Sequence, residues 1–253
     1  MPYAMNAGTR IHYEVDGVGP ALVLQHGFTQ CLEDWIEHGY VPALRERYRV
    51  ILIDARGHGS SDKPHDPASY AMDLRASDVT AVLDNLGVEK AHYWGYSMGG
   101  AIGFAMAKYA SHRVDALVIG SSIPHARDQS GLRQLARAGI TGGGDAFIAA
   151  FDQMIGPMPR SDSRAMRLRT ADFKAYLAAQ QDRGSMEDVL PTMAMPCCLY
   201  SGEAESNFSL VRSASEQIPN ARFFSLPGLS HGLAFTESSQ VLPPVMAFLD
   251  SAR

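Results

Sequence analysis

The chain has few cysteines, and their arrangement excludes two common structural roles. Of its 253 residues only three are cysteine, namely Cys31, Cys197 and Cys198. No Cys-x-x-Cys pair or Cys/His cluster occurs, so neither a disulfide framework nor a zinc site is expected. A reducing compartment fits this composition best. We interpret the adjacent Cys197 and Cys198 as small strand residues that face opposite sides of a sheet.

The chain also lacks a surplus of positive charge and long apolar runs. Lysine and arginine number 22 against 27 aspartates and glutamates, which gives a formal net charge of −5. That balance leaves no basic excess for a phosphate backbone, so we expect no nucleic-acid partner. No run of 18 apolar residues occurs, and the first six residues lack the basic and apolar parts of a signal peptide. We therefore expect a soluble, cytoplasmic protein without a membrane partner.

Short apolar runs alternate with helical patterns along most of the chain. This alternation is typical of an α/β domain in which helices cover both faces of a mostly parallel sheet. The first two strands are expected to form an antiparallel pair that turns at Gly8. The eight predicted strands are residues 2–6, 10–15, 21–25, 49–53, 91–94, 114–119, 197–201 and 221–226.

The alternation stops between residues 123 and 195, where the sequence predicts helices but no strand. These helices are separated by segments rich in glycine and proline, among them residues 156–159. We therefore predict a core domain of residues 1–122 and 196–253, with residues 123–195 inserted as a helical lid after strand six. Nine basic and eight acidic residues occur in this insertion, which indicates a mixed surface rather than a basic docking patch.

A Gly-x-Ser-x-Gly motif lies between the fifth predicted strand and a helical pattern. It consists of Gly95-Tyr96-Ser97-Met98-Gly99. A serine on such a sharp strand-to-helix turn exposes its hydroxyl, and the glycines are needed because larger side chains would collide in the turn. The N-terminus of the following helix favours developing negative charge. Ser97 is therefore the candidate nucleophile.

A second turn follows the third predicted strand and could stabilise negative charge on a substrate. It has the sequence His26-Gly27-Phe28. Acyl transfer needs donors directed at the oxygen that becomes negative, and the backbone N–H groups of Phe28 and Met98 are the candidates for an oxyanion hole.

An acid and a base follow the last two predicted strands. Glu203 and Glu205 come after the seventh strand, and His231 comes after the eighth. The order serine, acid, histidine is the order found in hydrolases built on such a sheet. The residue pattern leaves open which of the two glutamates is the acid.

With these motifs the chain resembles the α/β-hydrolase fold superfamily, in particular its small, lid-bearing esterase and lactonase branch with a serine nucleophile. Residues 26–28 resemble the family's oxyanion motif, residues 54–62 its loop after strand four, and residues 95–100 its nucleophile elbow. The resemblance extends over nearly the whole chain. It implies an eight-stranded, mostly parallel sheet flanked by helices, with a helical lid inserted after strand six.

The resemblance also implies a role for each candidate residue. Ser97 would be the nucleophile, His231 the general base and then acid, and Glu205 the acid that orients the histidine. Phe28 and Met98 would supply the oxyanion-hole N–H groups. The acid position is more often aspartate in this branch, so the glutamate two residues earlier remains the alternative. No metal or organic cofactor is required for this chemistry.

The expected function is hydrolysis of carboxylic esters of small, mostly apolar acyl groups through an acyl-enzyme. The partner would be a small-molecule ester or lactone, and the sequence does not indicate an oligomeric state. Alternatives on the same triad are an enol-lactonase, a hydrolase of carbon–carbon bonds in ring-cleavage products, and a perhydrolase. A further alternative is a ligand receptor with little turnover. The serine argues against the dehalogenase and epoxide hydrolase branches, which use an aspartate nucleophile.

The substrate pocket is expected to be lined by apolar side chains of the lid and of the loops at the strand ends. An arginine directed into it would instead favour substrates that carry a carboxylate. The candidate lining residues are Phe28, Ile123, Ile140, Phe147, Phe151, Met154, Met158, Met166, Tyr176, Phe208 and Leu233.

Overall fold

The fold is built on one sheet, seen in a computed structural model that describes residues 2–155 and 160–252. The strands are β1 (Tyr3–Asn6), β2 (Thr9–Asp16), β3 (Ala21–Gln25), β4 (Arg49–Ile53), β5 (Ala91–Tyr96), β6 (Val114–Gly120), β7 (Cys197–Gly202) and β8 (Ala221–Leu226). Their order across the sheet is β1-β2-β4-β3-β5-β6-β7-β8. β2 pairs antiparallel with β1 and β4, and all other neighbours are parallel.

This sheet confirms the predicted fold class. Each of the eight predicted strands coincides with an observed strand, with ends that differ by at most two residues. The first hairpin turns at Gly8, whose φ of 78° favours glycine. β5 extends beyond its predicted end because Tyr96 pairs with Gly120, and because the Ser97 N–H donates to the Gly120 carbonyl over 2.8 Å.

Helices cover both faces of the sheet. α3 (Met72–Asn85) and α4 (Met98–Tyr109) pack on one face, as does the later helix at Phe208–Glu216, and α1 (Leu32–Glu37) and α2 (Tyr40–Leu44) pack on the other. Cys197 lies in the apolar layer between the sheet and α3 and α4, and Cys198 lies in the layer between the sheet and α1 and α2. Adjacent strand residues are expected to face opposite sides of the sheet in this way. The remaining helices are α5 (Ser130–Ile155), α6 (Asp162–Arg169), α7 (Phe173–Ala179), α8 (Phe208–Glu216), α9 (Leu233–Thr236) and α10 (Ser238–Ser251), with short 3₁₀ helices at Pro67–Tyr70, Ser111–Arg113 and Glu187–Thr192. α5 is kinked at Gly143, whose φ of 76° and ψ of −170° are not helical.

The connection between β6 and β7 contains α5, α6 and α7. Among its described residues no strand joins the sheet. The three helices share a small apolar cluster that includes Phe147 and Tyr176, and Phe28 from the loop after β3 packs against it. The predicted break at residues 156–159 lies outside the described residues. That residues 123–195 act as a lid remains a prediction. Within the described part of the chain, no helix is both long and apolar enough to cross a bilayer.

Two arginines hold α6 against α1. Arg164 pairs with the carboxylate of Asp34, whose side chain is fully buried. Arg167 lies 3.6 Å from the same carboxylate and 2.8 Å from that of Glu37. The hydrogen bond from Arg167 lowers the pKa of Glu37 to about 2. These ion pairs attach the β6–β7 connection to α1, the helix that follows the His26-Gly27-Phe28 turn.

We expect Asp34→Asn to lower the free energy of unfolding by about 3 kcal/mol, because two largely buried arginines lose their shared carboxylate. Urea denaturation near neutral pH measures the change. The matched control is Arg212→Gln, which breaks an exposed pair with Glu216 on α8 and should cost less than about 0.5 kcal/mol. Equal, small losses in both variants would contradict this prediction.

Candidate active site

Ser97 lies on a strained turn between β5 and α4. Its backbone has φ 53° and ψ −108°, a conformation that non-glycine residues rarely adopt. The turn is so tight that a Cβ atom at Gly95 would lie 2.2 Å from the Gly99 carbonyl oxygen. A Cβ atom at Gly99 would lie 2.1 Å from the carbonyl oxygen of Gln25. Glycine on both sides of Ser97 is therefore required by space, and the serine lies at the carboxyl edge of the parallel strands.

The loops after β7 and β8 bring a carboxylate and an imidazole to this serine. His231 Nε2 lies 2.9 Å from Ser97 Oγ, and His231 Nδ1 lies 2.7 Å from Glu205 Oε2. A carboxylate accepts, so Nδ1 carries the hydrogen and Nε2 accepts the hydrogen bond from Ser97. The Tyr96 hydroxyl donates to the His231 carbonyl and fixes the backbone of the loop. The structure thus brings Ser97, His231 and Glu205 into one hydrogen-bonded chain.

The two candidate acids lie in different environments. Glu203 is exposed, and its Oε1 accepts a 2.7 Å hydrogen bond from the Ser225 hydroxyl. Glu205 is buried, and its Oε1 accepts from the Ser121 hydroxyl at 2.5 Å and from the Gly202 N–H at 2.9 Å. Glu205, rather than Glu203, therefore contacts His231.

Burial alone would raise the pKa of Glu205. The hydrogen bond and the charge of His231, together with the donors from Ser121 and Gly202, outweigh burial and lower this pKa below its usual value. The carboxyl group is therefore ionised near neutral pH. An ionised acceptor at this position stabilises the imidazolium that forms when a histidine takes a proton.

The turn after β3 is held in place by a buried histidine. His26 Nε2 accepts a 3.0 Å hydrogen bond from the Ala55 N–H, so the ring hydrogen is on Nδ1, which donates to the Gly27 carbonyl at 2.8 Å. Burial lowers the pKa of His26, which keeps the ring neutral. His26 therefore links the loop after β4 to the turn that carries Phe28.

Phe28 and Met98, the two predicted oxyanion-hole residues, lie around Ser97. Both border the same cavity as the serine. Gly27 lets the turn approach closely, since a Cβ atom there would lie 3.3 Å from Ser97 Cβ. Among the described residues, no acceptor is bound to the N–H of Phe28 or of Met98. Their assignment as oxyanion donors remains a proposal that these positions support.

Within the described residues, two cavities meet at Ser97 and His231. The first has a volume of about 560 Å³ and its wall includes Phe151, Ile155 and Phe235. The second has a volume of about 840 Å³ and extends from the serine towards arginines of α3 and of the β6–β7 connection. Both cavities include Ser97 and His231 in their walls, so either one gives a substrate access to the serine.

Comparison of the sequence with models of known protein families identifies the family of this chain. A family model of the alpha/beta hydrolase fold matches residues 20–151. The chain belongs to the α/β-hydrolase fold family. This confirms the family and the fold that the sequence motifs implied.

Individual relatives of this α/β-hydrolase differ in their described activities. The putative non-heme chloroperoxidase of Synechocystis sp. (strain ATCC 27184 / PCC 6803 / Kazusa) is 27% identical over 285 residues, covering 98% of this chain and 100% of that protein. A solved esterase from Rhodococcus sp. ECU1013 is 25% identical with a TM-score of 0.85, covering 100% of this chain and 99% of that one. The enol-lactonase from Burkholderia xenovorans LB400 also superposes with a TM-score of 0.85, at 24% identity over 98% of this chain and 100% of that one. The last likeness concerns the fold alone.

The expected pocket lining is correct in three positions. Phe28, Phe151 and Met154 border the two cavities. Phe147 and Tyr176 instead pack inside the β6–β7 connection, because its helices bury their apolar faces against each other. Among the other candidates, Ile140 and Met166 are exposed, Ile123 lies in the core, Phe208 packs on Phe223, Leu233 does not border either cavity, and Met158 lies outside the described residues.

Ser121 is a site residue that sequence reasoning missed. It directly follows the carboxyl end of β6, a position at which parallel strands often carry functional side chains. Its φ of 51° is strained for a non-glycine residue. The hydroxyl bonds to the Glu205 carboxylate from the side opposite His231. Its place after β6 was the available signal, but without the bond to Glu205 it had no assignable role.

We expect Ser121→Ala to lower kcat for ester hydrolysis about tenfold, because the buried carboxylate loses a charge-assisted hydrogen bond that holds it towards His231. Steady-state kinetics with p-nitrophenyl butyrate measures the change. Ser225→Ala, which removes the equivalent hydroxyl from Glu203, is the control and should leave kcat unchanged. Similar rates for both variants would rule out a positioning role for Ser121.

Proposed function

We propose that this α/β-hydrolase cleaves carboxylic esters through an acyl-enzyme on Ser97. The observation that carries the proposal is the hydrogen-bonded chain from Ser97 Oγ through His231 to Glu205, with lengths of 2.9 and 2.7 Å. A nucleophile, a base within reach and a third group that orients the base form the arrangement needed to activate a serine.

In the first step His231 Nε2 takes the hydroxyl proton as Ser97 Oγ attacks the ester carbonyl. The C–O bond to the alcohol then breaks, and the protonated His231 gives its proton to the leaving oxygen. The carbonyl oxygen becomes negative in between, and the N–H groups of Phe28 and Met98 are the donors available to stabilise it. Glu205 remains ionised and holds the imidazole in the tautomer that accepts from Ser97.

In the second step a water molecule attacks the acyl carbon. His231 takes a proton from this water, the bond to Ser97 Oγ breaks, and the proton returns to the serine. The free acid leaves and the site is restored. Both steps use the same three side chains, so the mechanism needs no further acid or base.

The first cavity suits a mostly apolar acyl group. Its wall beside Ser97 includes the aromatic side chains of Phe151 and Phe235 and the aliphatic side chain of Ile155. Arg160 and Arg164 also border this cavity, but Arg160 pairs with Asp152 and Arg164 with Asp34. The apolar part of the wall favours an uncharged acyl chain, since a charge loses its hydration there. A volume of about 560 Å³ has room for short and longer acyl chains alike, so the preferred chain length has to be measured.

Trapping of the intermediate tests the proposal. Wild-type enzyme is mixed with p-nitrophenyl acetate, butyrate or octanoate and quenched with acid during the first turnovers, and its peptides are examined by mass spectrometry. The expected result is a burst of nitrophenol with an acyl mass on the peptide that contains Ser97. An acyl group on another residue, or folded protein that releases no nitrophenol, would contradict the proposal. A parallel panel of lactones separates ring opening from simple ester cleavage.

A further inference from the structure

Arg127 and Arg183 pair through their backbones in the β6–β7 connection, in an antiparallel bridge outside the main sheet. The Arg127 N–H donates to the Arg183 carbonyl at 3.0 Å, and the Arg183 N–H donates to the Arg127 carbonyl at 3.1 Å. In an antiparallel pair of this kind, opposite residues direct their side chains to the same face. Both residues border the second cavity, which also contains Ser97 and His231. The arrangement therefore directs two positive charges to the substrate side of the connection.

A third arginine lies in the wall of the same cavity. Arg75 on α3 is almost completely buried, and its guanidinium donates to the backbone carbonyls of Tyr70 at 2.9 Å and Ala179 at 2.6 Å. Burial lowers the pKa of Arg75 to about 10. Burial, with the charges of Arg127 and Arg75, also lowers the pKa of Arg183 to about 10. Arg75, Arg127 and Arg183 thus border one cavity, where an anion would reduce the repulsion between their like charges.

The acidic residues nearest in sequence do not neutralise these arginines. Asp128 and Asp182 both pair with Arg133, which lies at 3.4 and 2.6 Å. Among the described residues, no carboxylate forms an ion pair with Arg127 or Arg183. Asp128 and Asp182 border the same cavity, but their ion pairs go to Arg133, so Arg127 and Arg183 are guanidinium groups of this wall without a paired carboxylate among the described residues.

We propose that Arg127 and Arg183 form a carboxylate-binding subsite, and that the preferred ester carries a carboxylate group away from its scissile bond. This inference rests on the proposed function of Ser97 and adds the substrate class. A planar carboxylate matches the paired donors of a guanidinium, and two neighbouring arginines can bind both of its oxygens. Arg75 contributes positive potential from the cavity wall.

The carboxylate can belong to either half of the ester, and two pairs of substrates distinguish these sources. Monoethyl adipate and ethyl hexanoate have acyl chains of equal length that end in a carboxylate or a methyl group. The esters 4-(butanoyloxy)benzoate and 4-methylphenyl butanoate differ in the same way on the alcohol side, since their phenol rings carry a carboxylate or a methyl group. Each anionic ester is thus compared with a neutral ester of similar size.

The test measures kcat/KM for the four esters with wild type, Arg127→Gln, Arg183→Gln and the control Arg137→Gln. Arg137 is an exposed arginine of α5 that borders neither cavity. Dividing the wild-type value by the variant value for each ester cancels differences in intrinsic reactivity. We expect Arg183→Gln to lower kcat/KM for one of the anionic esters about tenfold or more. Arg127→Gln should act in the same direction, and the neutral esters and the control should be unaffected.

Equal losses on anionic and neutral esters would overturn the inference, because they would indicate a structural role for the arginines. A wild-type enzyme that shows no arginine-dependent advantage for either anionic ester would overturn it as well. In both cases the neutral esters are still cleaved, so the proposed function survives.

A binding experiment can support the carboxylate subsite even if the proposed ester hydrolysis is wrong. Titration calorimetry with Ser97→Ala measures the affinity for monoethyl adipate and for 4-(butanoyloxy)benzoate. The inference predicts saturable binding of one of them that Arg183→Gln weakens about tenfold. Binding of this kind in a protein that cleaves no ester would contradict the proposed function while supporting the subsite. Binding that Arg183→Gln does not weaken would overturn the subsite.

Discussion

Ser97→Ala is expected to reduce kcat for p-nitrophenyl butyrate by about 10⁴- to 10⁶-fold, because the variant has no oxygen that can attack the carbonyl. The hydrogen-bonded chain begins at Ser97 Oγ, so His231 would keep its bond to Glu205 but have no proton to take. Rate measurements should also show complete loss of the initial burst of nitrophenol. The remaining rate would come from the oxyanion donors and from binding alone.

An exposed serine outside both cavities provides the control for this prediction. Ser213 lies on α8 and borders neither cavity. Ser213→Ala should retain wild-type rates, and circular dichroism should show that both variants keep the fold. A burst of wild-type size in Ser97→Ala would show that another group is acylated, and the proposed mechanism would then be wrong.

The main features of the sheet could be predicted because its buried strands are short apolar runs that end at turn residues. Strand β3, for example, ends at Gln25, where its apolar run gives way to the His26-Gly27-Phe28 turn. In a parallel sheet the carboxyl ends lie along one edge, so side chains that follow separate strands are brought together. Ser97 and His231 are far apart in the chain, and their positions after strands of one parallel sheet predict that they lie along the same edge; the family resemblance implied that they act together.

Side-chain direction in the β6–β7 connection could not be predicted in the same way. Phe147 and Tyr176 were expected in the pocket, but they pack among the helices of the connection. Arg127 and Arg183 meet through one pair of backbone hydrogen bonds between segments that are distant in sequence. Nothing in the local pattern around either arginine indicates this pairing. Such contacts depend on how the helices pack, which periodicity does not determine.

The choice between two glutamates shows the same limit on a smaller scale. Glu203 and Glu205 lie on one loop after β7, and either could be placed near the histidine on sequence grounds. The loop turns at Gly202, where the Glu205 N–H donates to the Gly202 carbonyl at 3.1 Å and the Gly202 N–H donates to Glu205 Oε1 at 2.9 Å. These two bonds return the Glu205 side chain into the site. Local backbone geometry, rather than residue type, determines which glutamate contacts His231.

Exchange of each glutamate for glutamine tests that selection. We expect Glu205→Gln to lower kcat by about 10³- to 10⁴-fold, because a neutral amide neither fixes the required tautomer of His231 nor stabilises its cation. Glu203→Gln should leave kcat unchanged, since its carboxylate bonds to Ser225. Thermal unfolding of both variants checks that the loop remains folded.

A third variant separates the charge of the acid from its length. Glu205→Asp keeps a carboxylate but is one methylene shorter, so the hydrogen bond to His231 Nδ1 lengthens while the negative charge remains. We expect its kcat to lie between those of wild type and Glu205→Gln. Equal and modest losses for Glu203→Gln and Glu205→Gln would contradict the assignment, because a true orienting acid cannot be replaced by its neighbour. If Glu205→Asp were as slow as Glu205→Gln, the precise placement of the carboxylate, and not its charge, would be the contribution that Ser121 and Gly202 secure.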